Sequence, residues 1–179
     1  MLNTLVTSKT RIKLLLKFFL NSNTTSWLRD LEQEFGDSTN AIRLELNRFE
    51  QADMLKSFSR GNKKIYQANT GHPLFEDIHN LIMKYVGIDC LVDKVISKIG
   101  ELHSAYLTGD FARGKDSPVI DLVLVGKNIN RSYLVELVEK GEKMISHKIK
   151  YIILHPDEMK DYLEEVTDFL LLWQKDSKI

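Results

Sequence analysis

Cysteine occurs once, at Cys90, so no intrachain disulfide and no cysteine-rich zinc site can form. Proline occurs only three times. No apolar run approaches the roughly 18 residues a membrane span needs. The opening MLNTLVTSKTRIKLLLKFFL does not read as a signal peptide, because Lys9, Arg11, Lys13 and Lys17 interrupt its apolar positions instead of preceding them. The 179 residues carry no net charge, with 43% hydrophobic and 28% charged side chains, ordinary values for a soluble globular protein. These absences point to a cytoplasmic protein of one large domain or two small ones, with no membrane partner.

The neutral total hides a split. Residues 1–70 hold 11 Lys and Arg against 7 Asp and Glu, a net +4. Residues 71–179 hold 14 against 18, a net −4. Such asymmetry suggests two modules, the first suited to a polyanion.

Within SKTRIKLLLKFFL, Ile12, Leu15, Leu16 and Phe19 fall on one helical face. Asn21–Thr24 reads as a turn, and a second helix is expected over Ser26–Phe35, with Trp27, Leu28 and Leu31 inward and Thr24 or Thr25 as cap. Gly36 ends it, and Asp37 or Ser38 caps a third helix over about Thr39–Ala52. That helix has Ile42, Leu46 and Phe49 on its apolar face. Ser38, Thr39, Asn40, Arg43 and Asn47 supply a polar face, and Arg and Asn suit base edges and phosphates. Two short alternating runs then flank Arg60-Gly61-Asn62, a hairpin signal, whose tip is basic with Arg60, Lys63 and Lys64.

Three helices followed by a basic hairpin resemble the winged helix-turn-helix domain of bacterial transcription regulators, closest to the arsenic-repressor-like and multiple-antibiotic-resistance-like groups. The stretch STNAIRLELNRFEQADMLKSFSRGNKKIYQAN carries the resemblance. It implies that the Thr39–Ala52 helix enters the DNA major groove while the wing grips the backbone. Ser38, Thr39, Asn40, Arg43, Asn47, Arg60, Lys63 and Lys64 would then contact double-stranded DNA. Asp53 departs from the usual Gly after the helix, though Asp tolerates the left-handed conformation. Metal sensing through cysteine pairs is not implied, because no pair exists.

Residues 71–94 read as a connecting or dimerisation helix. Leu74, Ile78, Leu81, Ile82 and Tyr85 recur at helical spacing, Gly87 breaks the run, and a further helix is expected over Leu91–Ile99. Glu76, Asp77 and His79 do not form a recognised metal-binding pattern. Exposed helix polarity is the simpler reading of them.

From residue 95 the pattern alternates. Strands are expected at 102–107, 119–125 and 148–154. Helices are expected at 109–114, 131–145, from Pro156, and at 161–174, so that Leu170–Trp173 close the last one. TGDFARGKDSPVIDLVLVG resembles the minimal nucleotidyltransferase core of the DNA polymerase beta superfamily through Gly109, Ala112, Arg113, Gly114 and Asp121. The resemblance implies a small α/β domain over 95–179 and a degenerate nucleotide-binding motif of Gly109, Asp110, Arg113, Gly114 and Asp121. Two-metal transfer needs clustered carboxylates. Val119 stands where the first acid belongs, Asp110 replaces the family serine, and Lys148 or Lys150 falls where a third acid belongs. Asp121 could hydrogen-bond the Gly109–Gly114 turn, and Arg113 could pair with an acid such as Asp121.

The expected fold class is therefore α+β: a winged helix-turn-helix over residues 1–70, then a nucleotidyltransferase-like α/β domain. The expected function is a homodimeric DNA-binding regulator. Its C-terminal domain is expected to be catalytically inactive, with no metal and no cofactor, and to take a nucleotide or small-molecule effector. The alternative is an active nucleotidyltransferase that the winged helix targets.

Overall fold

The computed structural model describes residue 4 and residues 6–88, 99–143, 145 and 147–175. The chain is α+β and divides into two compact units, Met1–Tyr85 with Gly114–Asp116, and Val86–Arg113 with Ser117–Ile179. Among the described residues, no helix is long and apolar enough to cross a membrane.

In the first unit, helix α1 (Lys9–Leu15) starts under a Ser8 cap that accepts the Arg11 amide, and it runs on into a π-helical turn over Leu16–Leu20. The sequence predicts one buried face, but Leu14 through Leu20 are all buried, Lys17 included. A segment apolar almost all round is covered all round. Lys17 meets this burial by pairing with Glu34 at 2.7 Å.

The expected helix start at Ser26 is corrected. Thr25–Trp27 form strand β1, and α2 spans only Leu28–Phe35, with neither Thr24 nor Thr25 as its cap. β-branched Thr and aromatic Trp favour extended backbone, and a sheet edge is present to take them. β1 pairs antiparallel with β3 (Lys63–Ala68), which pairs antiparallel with β2 (Leu55–Arg60). The sheet order is β1-β3-β2. Of the residues expected inside α2, Leu31 is fully buried, whereas Trp27 and Leu28 are half-buried.

Helix α3 (Thr39–Gln51) follows the α2–α3 turn, its N-cap being Ser38, which accepts the Ala41 amide. Ile42, Leu46 and Phe49 are buried, as their period predicts. Two polar clamps hold α1 against this element. Thr10 and Lys13 both donate to Asp37 in the turn, at 2.8 and 2.9 Å. Arg11 grips the buried Glu45 of α3 at 2.8 and 3.2 Å. After α3, Asp53 adopts φ +54°, the left-handed conformation the sequence requires of it.

Helix α4 (Phe75–Val86) buries Phe75 and Ile82 but leaves Leu81 exposed, and Leu74, just before the helix, is exposed too. The helix expected over Leu91–Ile99 lies outside the described residues up to Ile99.

In the second unit a four-stranded sheet has the order β6-β5-β4-β7. Strand β4 (Glu101–Thr108) leads into the one-turn helix α5 (Gly109–Ala112) and strand β5 (Val119–Lys127). Helix α6 (Arg131–Glu142) carries the chain over to β6 (Lys148–Leu154), parallel to β5. Leu102, Ala105, Leu124, Leu134 and Leu137 form a core between sheet and α6. The two expected terminal helices are corrected. A single helix α7 covers Met159–Glu165, and Leu170–Gln174 is strand β7, paired antiparallel with β4. A run of four apolar residues has no period that separates strand from helix. The open edge of β4 supplies the hydrogen-bonding partner that decides it.

Candidate functional site

A concave surface of about 680 Å³ opens between α3 and the β2–β3 hairpin. The period of α3 places Arg43 and Asn47 on it, and the pairing of β1 with β3 brings up Trp27 beside Lys63, Lys64 and Tyr66. Arg29 and Asn62 join from α2 and the hairpin turn. Among the described residues no carboxylate lines this groove, although Glu50 reaches Lys64 from beside it. At the tip Arg60 pairs with Lys63 across a two-residue turn, and Gly61 holds φ +62° at its first central position, a conformation that favours Gly.

The groove's charges are held in specific ways. The Lys63 ammonium lies 3.8 Å from the centre of the Trp27 ring, a cation–π contact. Lys64 donates to Glu50 at 2.7 Å. That bond raises the Lys64 ammonium above its usual range and holds the Glu50 carboxyl below its own. Arg43 is exposed and touches Asn40 at 3.5 Å.

The sequence-predicted residues therefore separate. Arg43, Asn47, Lys63 and Lys64 share the groove, Asn40 is exposed on the same helix, and Arg60 is exposed at the hairpin tip. Ser38 caps α3, and Thr39 donates its hydroxyl to Glu32 at 2.6 Å. Trp27, Arg29, Asn62 and Tyr66 escape sequence reasoning. Asn62 could have been found within the hairpin signal itself, but Trp27 and Arg29 sit in a segment whose strand character depends on β3.

In the second unit, Asp121 of β5 stands in register with Thr108 on one side and Lys150 on the other. Thr108, Asp121, Lys150 and Tyr162 line an open groove of about 340 Å³. Gly109 adopts φ +68°, and a β-carbon there would lie 2.6 Å from the Asp121 carboxylate. Both the backbone angle and this close approach call for Gly. Asp110 lies in the first turn of α5, and Gly114 follows Arg113 in the turn. Arg113 pairs with an acid as expected, but the acid is Asp168, at 2.9 Å, and not Asp121. The Thr108 hydroxyl donates to the Asp121 backbone carbonyl at 3.4 Å.

These groups do not fit a two-metal clamp. Val119 and Lys148 are register partners, as are Asp121 and Lys150. One carboxylate therefore faces a lysine on the neighbouring strand, and a lysine repels the cation that a second acid would hold. Lys148 itself is engaged by Glu142 at 2.8 Å. Among the described residues no three of His, Cys, Asp and Glu come together to hold a metal. His79 instead shares a 2.7 Å hydrogen bond with the Phe19 carbonyl.

No family model matches the chain, and no curated protein matches it. Among solved structures, a candidate nucleotidyltransferase from Sulfolobus solfataricus is similar over 61% of this chain and 96% of its own. Its sequence identity is 24% and its TM-score 0.39. AF1382 from Archaeoglobus fulgidus is similar over 53% of this chain and 97% of its own, at 13% identity and a TM-score of 0.37.

Proposed function

We propose that this chain is a DNA-binding transcription regulator in which the first unit acts as a winged helix-turn-helix and grips duplex DNA. The observation that carries this reading is the groove between α3 and the hairpin, lined by Arg29, Arg43, Lys63 and Lys64 together with Asn47 and Asn62. Cations there meet phosphates, and the outward side chains of α3 meet base edges. The net +4 of residues 1–70 adds attraction to a polyanion. Two copies bind together, each reading one half-site.

The second unit is a nucleotidyltransferase-like domain that serves sensing or assembly in place of catalysis. Asp121 beside Lys150, with Val119 where an acid is needed, supports that role. A gel shift against genomic fragments tests the regulator reading. Retarded complexes that dissolve as salt rises are expected, and absence of any complex at low salt contradicts it.

A further inference from the structure

Helix α3 carries one side chain that its polar face does not account for. Leu44 is 52% exposed. A scattered exposed leucine needs no explanation, but the setting of this one is specific. At 100° per residue, Asn40, Arg43, Leu44, Asn47 and Gln51 fall within an arc of about 100°. All five are exposed. Ile42, Leu46 and Phe49 are buried on the other side of the helix. Leu44 therefore points away from the core, amid the side chains assigned above to base edges.

We infer that Leu44 is a specificity-determining residue that reads the 5-methyl group of thymine in the major groove. The inference rests on the DNA-binding reading and names its target chemistry. The thymine methyl is the apolar feature that the major-groove edges of the bases present, and apolar side chains contact it directly. Arg43 and Asn47 flank Leu44 by one and three residues, so hydrogen-bonding donors surround the apolar contact. Double-stranded RNA offers no such partner. It carries uracil, and its major groove is too deep and narrow for side chains to read. Leu44 thus selects B-form DNA with thymine at the contacted step.

The full chain is used to select binders from random-sequence duplex DNA, and the strongest duplex is remade with deoxyuridine for thymidine. Removal of one contacted methyl should weaken binding about fourfold. Leu44→Ala should bind both duplexes equally, at the weaker affinity. Equal binding of the two duplexes by the unaltered chain overturns the inference and leaves the DNA-binding reading standing. A difference that persists in Leu44→Ala also overturns it. If selection enriches no duplex, the DNA-binding reading itself fails, and the inference fails with it.

Discussion

The Lys63 ammonium sits over the Trp27 ring at 3.8 Å. Trp27 is the register partner of Ile65, so Lys63, two residues back along β3, lies diagonally across on the same face of the sheet. The indole is therefore placed in the groove as a reporter. Addition of duplex DNA should shift Trp27 emission as Lys63 turns toward a phosphate. Trp27→Phe should remove that change and leave only the signal of Trp173. An unchanged spectrum at saturating DNA contradicts the placement of DNA in this groove.

Arg43 and Lys63 should fail differently. Arg43→Ala should relax sequence preference, with a loss of about 1–3 kcal/mol at the position it reads. Lys63→Ala should weaken binding to all sequences alike. Competition binding against matched and mismatched duplexes separates the two, and variants that both behave like the parent contradict the docking.

Glu45 should tie the stability of the first unit to acid. Burial pushes its carboxyl up, but hydrogen bonds and charge from Arg11, with Ser8 and Arg48, outweigh that and hold it below its ordinary 4.5. Its contribution is then full above pH 4.5 and is lost as pH falls through the lowered value. Glu45→Gln should cost about 2 kcal/mol at neutral pH and flatten the acid limb of a denaturation series. A variant with the parent's acid limb contradicts the role of the Arg11 pair.

At Asp53 the backbone holds φ +54°. Left-handed backbone costs a non-Gly residue roughly 1–2 kcal/mol, and Gly loses about 0.5–1 kcal/mol more backbone entropy on folding. Asp53→Gly should thus gain about 0.5 kcal/mol by these figures, whereas β-branched Asp53→Val should be destabilised. Thermal unfolding of the pair checks the order, and a Val variant as stable as the Gly variant contradicts it.

Asp121 beside Lys150 should not support nucleotidyl transfer. Incubation with labelled nucleotides and magnesium or manganese should leave no label on nucleic acid, protein or small molecule. Label transfer that Asp121→Asn abolishes contradicts the non-catalytic role and favours the enzyme.

Much of α3 is legible from sequence because Ile42, Leu46 and Phe49 repeat with the helical period and Ser38 supplies a cap. Asp53 is legible too, since the turn admits few other residues. β1 and β7 are not legible. TSW and LLLWQ are too short to show a period, and each becomes a strand only because β3 or β4 offers an edge. The hydrogen bond from the Thr39 hydroxyl to Glu32 joins α3 to α2 and is not visible in the helical period. Arg113 pairs with Asp168, 55 residues away, a partner that no local pattern reveals.

The central claim, that the groove between α3 and the hairpin grips DNA phosphates, is tested most directly by the salt dependence of duplex binding. Fluorescence anisotropy with the full chain should show log affinity falling linearly with log salt, at a slope of about −0.9 for each phosphate neutralised. Lys63→Ala should reduce that slope by about 1. Binding that ignores salt, or a slope unchanged in Lys63→Ala, would contradict the account.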